Sequence, residues 1–148
     1  MTLSVDDIML YAKDNVAMNI LLDSTLQSSE PLVELAMRLA VSMFNGVTPI
    51  TYYSTTDFPN DTILLYGTLH HLANSEAERQ LRNQIDFTTQ GLNVGVDNKY
   101  QQYASLAGSY RQMFDTETKA LKAYINAENA WGESYSPYSN INEFRFRD

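Results

Sequence analysis

The sequence predicts a mainly α-helical protein: a helical bundle with one long C-terminal helix, a small β-hairpin and an extended C-terminal tail. Three observations predict this fold class. Apolar residues recur at helical spacings over most of the chain. Two short stretches with period two flank Gln90-Gly91. After Gly132 no helical period remains.

The length and composition predict a single folded unit with a tail. The chain has 148 residues, of which 44% are hydrophobic and 19% are charged, which is enough to build one core. We therefore assign residues 1–131 to a helical core that includes the hairpin at about 85–96. Residues 132–148 form an extended docking tail in this prediction.

Two helices are predicted in the first third of the chain. Ser4 is a suitable N-cap for the first, which we expect to end near Asn15. Its buried face is predicted to consist of Ile8, Tyr11 and Ala12. Ser28 or Ser29 caps the second, which Asn45-Gly46 ends. The second helix has a predicted apolar stripe of Leu32, Leu35, Ala36, Leu39, Ala40 and Met43.

Residues 47–59 have the composition of a loop or extended arm, which we expect Ile50, Tyr52 and Phe58 to attach to the core. Pro59-Asn60-Asp61 begins a third helix that continues through the polar run from Ser75 to Gln84. Its buried side is predicted to contain Ile63, Leu64, Leu65, Leu69, Leu72 and Ala73.

The last predicted helix is the longest, at about 98–129. A helix of that length measures about 45 Å, which exceeds what so small a protein needs and suggests that one end reaches a partner. Its near-heptad seam, interrupted at Glu117, comprises Tyr100, Tyr103, Ala107, Tyr110, Phe114, Leu121 and Tyr124.

Composition excludes several function classes. The net charge of −8 disfavours a general nucleic-acid-binding module, and the absence of cysteine excludes disulfides and thiol catalysis. No apolar run approaches the ~20 residues that span a bilayer, and the N-terminus does not have the pattern of a secretory signal. We therefore expect a protein of a reducing compartment that does not bind membranes.

No catalytic or cofactor signature stands out. His70-His71 are adjacent and point about 100° apart on a helix, so they are poorly placed to chelate one metal ion. The glycines of residues 90–96 lack the spacing of a nucleotide-binding loop, and a loop and a helix cap explain Asp57 and Asp61. We expect no enzyme activity, no metal and no cofactor.

The C-terminal tail is the most informative segment. Five aromatic residues fall within the last 18 positions. Burying them would gain ~19 kcal/mol, while ordering the backbone of the segment would cost ~18–36 kcal/mol. Because the two nearly cancel, we expect the tail to become ordered on a partner surface that supplies main-chain hydrogen bonds, as in strand addition. The alternative is that the tail folds back on its own core.

Several phrases in order along residues 15–140 resemble a family of tailed-bacteriophage head-to-tail connector proteins, the neck or adaptor rings beneath the portal. The early phrases are Met18-Asn19-Ile20-Leu21-Leu22, Ala40-Val41-Ser42-Met43-Phe44-Asn45, Thr48-Pro49-Ile50 and Asp57-Phe58-Pro59. The later ones are Leu64-Leu65-Tyr66-Gly67, Arg82-Asn83-Gln84-Ile85-Asp86-Phe87 with Gly91-Leu92, Asp97-Asn98-Lys99-Tyr100-Gln101-Gln102-Tyr103 and Leu121-Lys122-Ala123-Tyr124-Ile125-Asn126.

The resemblance implies a virion structural protein of the neck, assembled in the bacterial host cytoplasm. It implies a homo-oligomeric ring, typically of twelve copies, that joins the portal protein to the next neck or tail component. DNA would pass through its channel without sequence-specific binding. The predicted portal-docking residues are Tyr135, Tyr138, Ile141, Phe144, Arg145, Phe146 and Arg147. The predicted contacts between neighbouring copies are Phe87, Leu92, Val94, Tyr100, Tyr103 and Tyr110.

Two alternatives come from other classes of protein. A tail-completion or terminator protein also forms a ring, usually of six copies and richer in β structure. A small helical regulator of a host protein would use the same tail in a one-to-one complex.

Overall fold

α-Helices dominate the computed structural model, which describes residues 3–14, 26–82, 88–89, 92–93 and 99–131. The helices are α1 (Val5–Tyr11), α2 (Glu30–Asn45), α3 (Asp61–Arg82) and α4 (Lys99–Trp131). Two short strands, β1 (Thr88–Thr89) and β2 (Leu92–Asn93), pair antiparallel. The prediction of a mainly α-helical protein is confirmed. The rest of the hairpin at 85–96 and the tail at 132–148 lie outside the described residues.

Ser4 caps α1, as the sequence predicts, and it forms a capping box with Asp7. The Ser4 hydroxyl accepts from the backbone N–H of Asp7 at 3.2 Å, and the Asp7 carboxylate accepts from the backbone N–H of Ser4 at 2.9 Å. This exchange satisfies two N–H groups that lack helical partners. The helix ends at Tyr11, earlier than predicted, because Lys13 takes a left-handed conformation with φ of 55°. Ile8 is buried, whereas Tyr11 and Ala12 are exposed.

The core forms where α2 and α4 both pack on α3. Gly67 of α3 lies at their meeting point, since a Cβ there would lie 2.7 Å from the Ala40 Cβ and 2.9 Å from the ring of Phe114. The lack of a side chain at Gly67 therefore sets how closely the three helices approach. The large buried side chains of this core are Ile8, Val33, Met37, Val41, Phe44, Phe58, Ile63, Leu64, Leu69 and Phe114.

The buried face of α2 is rotated from the predicted one. Ala36 and Ala40 are buried as expected, but Leu35 and Leu39 remain 45% and 43% exposed. The prediction was wrong because α2 has two overlapping apolar stripes, each with helical spacing. The stripe that packs inward consists of Val33, Ala36, Met37, Ala40, Val41 and Phe44.

Residues 46–60 form the predicted loop, but different side chains attach it. Phe58 is buried, whereas Ile50 and Tyr52 are exposed, so the prediction was wrong for those two. Tyr53 packs near Phe44 and Phe58 instead.

Asn45, the last residue of α2, holds the loop by its side-chain amide. Its Nδ2 donates to the carbonyl oxygen of Tyr53 at 2.8 Å, and its Oδ1 accepts from the backbone N–H of Tyr53 at 3.1 Å and from the Thr51 hydroxyl at 2.9 Å. This amide satisfies polar groups that the irregular backbone leaves without secondary-structure partners.

The third helix follows its prediction closely. Asn60 caps it, because its Oδ1 accepts from the backbone N–H groups of Thr62 and Ile63 at 2.9 and 3.2 Å. Of the expected apolar set, Ile63, Leu64, Leu69 and Ala73 are buried, and Leu65 and Leu72 are half-buried.

The long helix α4 buries a different seam beyond Phe114. Tyr100 and Tyr124 were predicted to be part of the seam, but they are 38% and 59% exposed. The seam shifts by one residue after Phe114, because Glu117 stays outside and Thr118 takes the inward position. The inward side chains of α4 are Tyr103, Ala107, Tyr110, Phe114, Thr118, Leu121, Lys122 and Ile125.

Candidate interaction surfaces

The predicted portal-docking residues lie outside the described residues, as do Phe87 and Val94 among the predicted contacts between copies. Leu92 lies in β2. The structure describes the side chains of three predicted contact residues, namely Tyr100, Tyr103 and Tyr110.

Two of those three tyrosines make contacts within their own chain. The Tyr103 hydroxyl accepts from Nε2 of Gln27 at 3.3 Å. Tyr110 stacks on Tyr66 with ring centroids 6.5 Å apart, and its burial raises the pKa of its phenol. Tyr100 is the most exposed of the three.

A cavity of about 230 Å³ lies between α3, the first half of α4 and the segments around Asp14 and Leu32. Tyr103, Tyr110, Leu32 and Leu72 supply apolar lining, and Asp14 lies at its rim. The carboxylate of Asp14 is buried and accepts from the backbone N–H groups of Gln27 and Ser28 at 2.8 and 2.6 Å. Those bonds explain Asp14 as a structural acceptor that joins the chain before and after residues 15–26.

The other charged side chains at this cavity are Glu76, Arg79 and Arg82 of α3. Glu76 accepts from the Arg79 guanidinium at 2.8 Å and from Nε2 of Gln80 at 2.6 Å. Because these pairs are local to one helix, they add to helix stability and form no convergent set of acid and base.

The histidine pair is structural in the described core. Nδ1 of His70 lies 2.9 Å from the carbonyl oxygen of Ala107 on α4. His71 is half-buried, and its Nε2 has no hydrogen-bond partner. Burial, His70 and Arg111 all lower the pKa of His71, so this imidazole is neutral at pH 7. Among the described residues, neither ring makes a hydrogen bond to a carboxylate or a hydroxyl.

Lys122 is a buried cation that the sequence analysis missed. Its side chain is 2% exposed, and Nζ donates to the carbonyl oxygen of Pro49 at 2.8 Å and to the Thr51 hydroxyl at 2.7 Å. Nζ also lies 4.3 Å from the ring centroid of Phe44. These contacts attach the loop after α2 to α4. Its position in the sequence could have predicted this burial, because Lys122 lies four residues after Thr118 on the inward face of α4.

The outer face of α4 is a continuous uncharged surface. We use this name for eight exposed positions of α4 that are spaced alternately by three and four residues. They are Leu106, Ser109, Met113, Thr116, Ala120, Ala123, Ala127 and Ala130. Beside Met113, this face and Tyr66 of α3 enclose a shallow groove of about 480 Å³.

The C-terminal end of α4 extends past its last core contact. Ile125 still packs against the core, whereas residues 126–130 are all exposed. The helix thus carries the chain outward to the position where the aromatic-rich sequence of residues 132–148 begins.

Within the described ranges, no group of three or more histidine or acidic side chains is arranged to hold a metal ion. None of the helices in those ranges has both the length and the apolar character required to cross a bilayer.

Comparison with known proteins gives no assignment: no protein-family model, curated protein or solved structure matches this chain.

Proposed function

We propose that this protein is a structural head-to-tail connector adaptor of a tailed bacteriophage. In this role it forms a ring under the portal, attaches to the portal by residues 132–148, and joins it to the next neck or tail component. Twelve copies would surround the channel through which DNA passes. The role requires no catalysis.

The observation that carries this proposal is the projecting end of α4. The helix has 33 residues and is therefore about 50 Å long, and its exposed residues 126–130 lie beyond the packed core. A rigid arm that ends at a segment rich in aromatic residues suits a protein that must reach a second component. Tyrosine, tryptophan and arginine are the side chains that most often carry binding energy at interfaces.

The chemistry of the described side chains is consistent with a structural role. His70, Asp14 and Lys122 each make hydrogen bonds that give them a structural explanation. The net charge of −8 also suits a channel wall, because negative charge repels the phosphate backbone of passing DNA.

The order of the phrases along the sequence gives independent support. They extend from residue 18 to residue 126, through the N-terminal segment, α2, its loop, α3 and α4. If the resemblance to the connector family arose by chance, we would expect the phrases to fall in a single element. We would not expect them to occur in a consistent order along several elements.

Native mass measurement of the purified full chain, alone and mixed with the portal protein of the same phage, tests the proposal. A chain that forms a ring of about twelve copies only on the portal would support it. A soluble hexamer that forms without the portal would favour a tail terminator. A lasting one-to-one complex with a host protein and no ring would favour a regulator. Either of these last two results contradicts the adaptor role.

A further inference from the structure

The loop after α2 alternates between inside and outside as a β-strand does. Through residues 46–56, every even-numbered residue is exposed and every odd-numbered residue is half-buried. This period of two is that of an extended strand, and the chain makes no bend through residues 50–54. Among the described residues, no strand pairs with this segment. The protein therefore displays a strand-like segment without a strand beside it.

The backbone groups of the odd-numbered residues are held from the inside. The N–H groups of Thr51 and Tyr53 donate to the carbonyl and side-chain oxygens of Asn45, at 3.3 and 3.1 Å. The carbonyl oxygen of Tyr53 accepts from the Asn45 amide at 2.8 Å, and that of Pro49 accepts from Nζ of Lys122 at 2.8 Å. These four bonds fix the segment in its extended shape without the help of a partner.

The even-numbered residues form an open edge, a name that we use for the backbone N–H and C=O groups of Ile50 and Tyr52. Alternate residues of an extended strand direct these groups to the same side. Within the described residues, none of the four groups has a hydrogen-bond partner. Both side chains are also exposed, at 66% for Ile50 and 92% for Tyr52. Such an edge is a template for a further strand, and proteins normally cover it.

We propose that residues 144–147 of the same chain pair with the open edge as a second strand in the free protein. This stretch alternates phenylalanine with arginine, so both phenylalanines point to one side. On that side Phe144 and Phe146 cover Ile50 and Tyr52. Aromatic side chains beside one another or beside a β-branched residue are among the cross-strand pairs that stabilise sheets.

The place where α4 ends and the length of the tail favour this occupant. Asn126 of α4 and Val47, near the start of the segment, line the same groove of about 250 Å³. The helix ends at Trp131, which is about 7.5 Å further along its axis. Twelve residues, 132–143, then precede the pairing stretch. A linker of that length has an average end-to-end distance of about 17–21 Å, which allows residues 144–147 to return to the open edge.

The open edge also supplies what the tail requires. Burial of its aromatic side chains does not by itself offset the entropy lost on ordering the tail, so ordering needs main-chain hydrogen bonds from a second surface. Ile50 and Tyr52 offer four such groups within the same molecule. A short linker keeps the tail at a millimolar effective concentration near them, which favours the chain's own tail over that of another copy.

The pairing is weak enough to be reversed. A two-stranded ribbon is only marginally stable in water, so we expect the edge to be covered for about half to nine-tenths of the time. The tail therefore remains available to a surface that binds it more tightly. Its transfer to the portal rests on the proposed function, whereas the pairing in the free chain does not.

Amide hydrogen exchange, measured by NMR on the full chain and on a chain that lacks Tyr135–Asp148, tests the pairing. A covered fraction of that size slows exchange at Ile50 and Tyr52 about two- to ten-fold in the full chain. The amides of Thr51 and Tyr53 are controls, because they are already hydrogen-bonded and should exchange alike in both chains. Equal rates at the open edge in the two chains would overturn the proposal. Equal slowing at all four amides would also overturn it, since that result indicates a general stabilisation of the loop.

Two matched double variants of the full chain test which side of the tail makes the contact. Phe144→Ser with Phe146→Ser removes the apolar side and should return exchange at the open edge to the rate of the truncated chain. Arg145→Ser with Arg147→Ser removes two large side chains from the opposite side and should keep most of the slowing. Equal loss of the slowing in both variants would contradict the proposed arrangement.

Dilution distinguishes the chain's own tail from that of a neighbour. Pairing within one chain predicts slowing that does not depend on protein concentration. Slowing that fades on dilution would show that the tail of another copy occupies the edge, and would contradict the proposal. These measurements contain no portal protein, so their failure would leave the connector function standing, and a chain that shows the pairing but ignores the portal would contradict only that function.

Discussion

Gly67 is the residue on which helix packing depends most directly. An added Cβ would come within 3 Å of both Ala40 on α2 and Phe114 on α4. We predict that Gly67→Ala lowers the free energy of unfolding by about 1–3 kcal/mol, because two helices must move to make room. Urea denaturation followed by circular dichroism measures this change.

Gly108→Ala is the matched control for that experiment. It makes the same substitution inside α4, where a Cβ would meet nothing within 4 Å. We expect it to stabilise the protein by about 0.5–1 kcal/mol through the higher helix propensity of alanine. Equal effects of the two substitutions would show that the close approach at Gly67 does not constrain the core.

His71 should make the stability depend on pH just below neutrality. Burial, His70 and Arg111 hold the pKa of His71 below its ordinary value of 6.5. The unfolded chain therefore binds this proton more readily than the folded one. The stability that the folded chain has with His71 neutral is fully present above about pH 6.5. It is lost as the pH falls below that value. We expect the urea midpoint to fall between about pH 7.5 and pH 5.5, and His71→Gln to reduce that fall.

Two carboxylates with lowered pKa values do not contribute to this pH dependence. Hydrogen bonds from Ser4 and Ser54 hold the pKa values of Asp7 and Asp57 below their usual range, so both stay ionised throughout the window. If His71→Gln and the natural chain showed the same dependence on pH, another group would be responsible.

The contact between α4 and the loop after α2 depends on Lys122. Lys122→Met keeps much of the side-chain length but leaves the Pro49 carbonyl and the Thr51 hydroxyl without their donor. We predict that the free energy of unfolding falls by about 1–3 kcal/mol. The loss of these hydrogen bonds costs more than is gained by no longer burying a charge. Limited proteolysis should then cut within residues 47–59 more readily.

Lys119→Met serves as the comparison, because Lys119 lies three residues away on the exposed side of α4. This substitution should change the free energy of unfolding by no more than about 0.5 kcal/mol. It should leave the rate of proteolysis unchanged. A Lys122→Met chain with an equally protected loop would show that Asn45, Tyr53 and Phe58 hold this segment without Lys122.

The ends of the helices could be predicted from the sequence better than the faces that the helices bury. Caps and stops are local signals, so Ser4, Asn45-Gly46 and Asn60 located helix ends to within a few residues. The buried face of α2 was not predictable, because its two stripes share Ala36 and Ala40 and both contain large apolar side chains. Packing partners chose between them: Phe44 meets Phe58 and Lys122, contacts that no local pattern encodes.

The same limit applies to α4 and to the candidate surfaces. The heptad pattern located its seam from Tyr103 to Phe114, but the register shift at Thr118 depends on how α4 crosses its neighbours. The outer face of α4 was detectable in principle, since the absence of charge at eight heptad positions is visible in the sequence.

In the proposed function, the whole chain consists of a helical core and a segment that docks on the portal. Within that segment, alternation would place Phe144 and Phe146 on one side and Arg145 and Arg147 on the other. We predict that Phe144→Ala and Phe146→Ala weaken portal binding more than Arg147→Ala does, because apolar burial supplies most of the binding energy. Titrating each variant over immobilised portal protein would measure its binding affinity. Equal losses for all three would contradict strand-like insertion.

The central claim is that residues 135–148 dock on the portal while the helices fold without them. The most direct measurement is portal binding by a chain that lacks Tyr135–Asp148, with its urea unfolding curve recorded alongside. The account predicts unfolding close to that of the full chain and no detectable binding. Normal binding by a folded, truncated chain would contradict the claim.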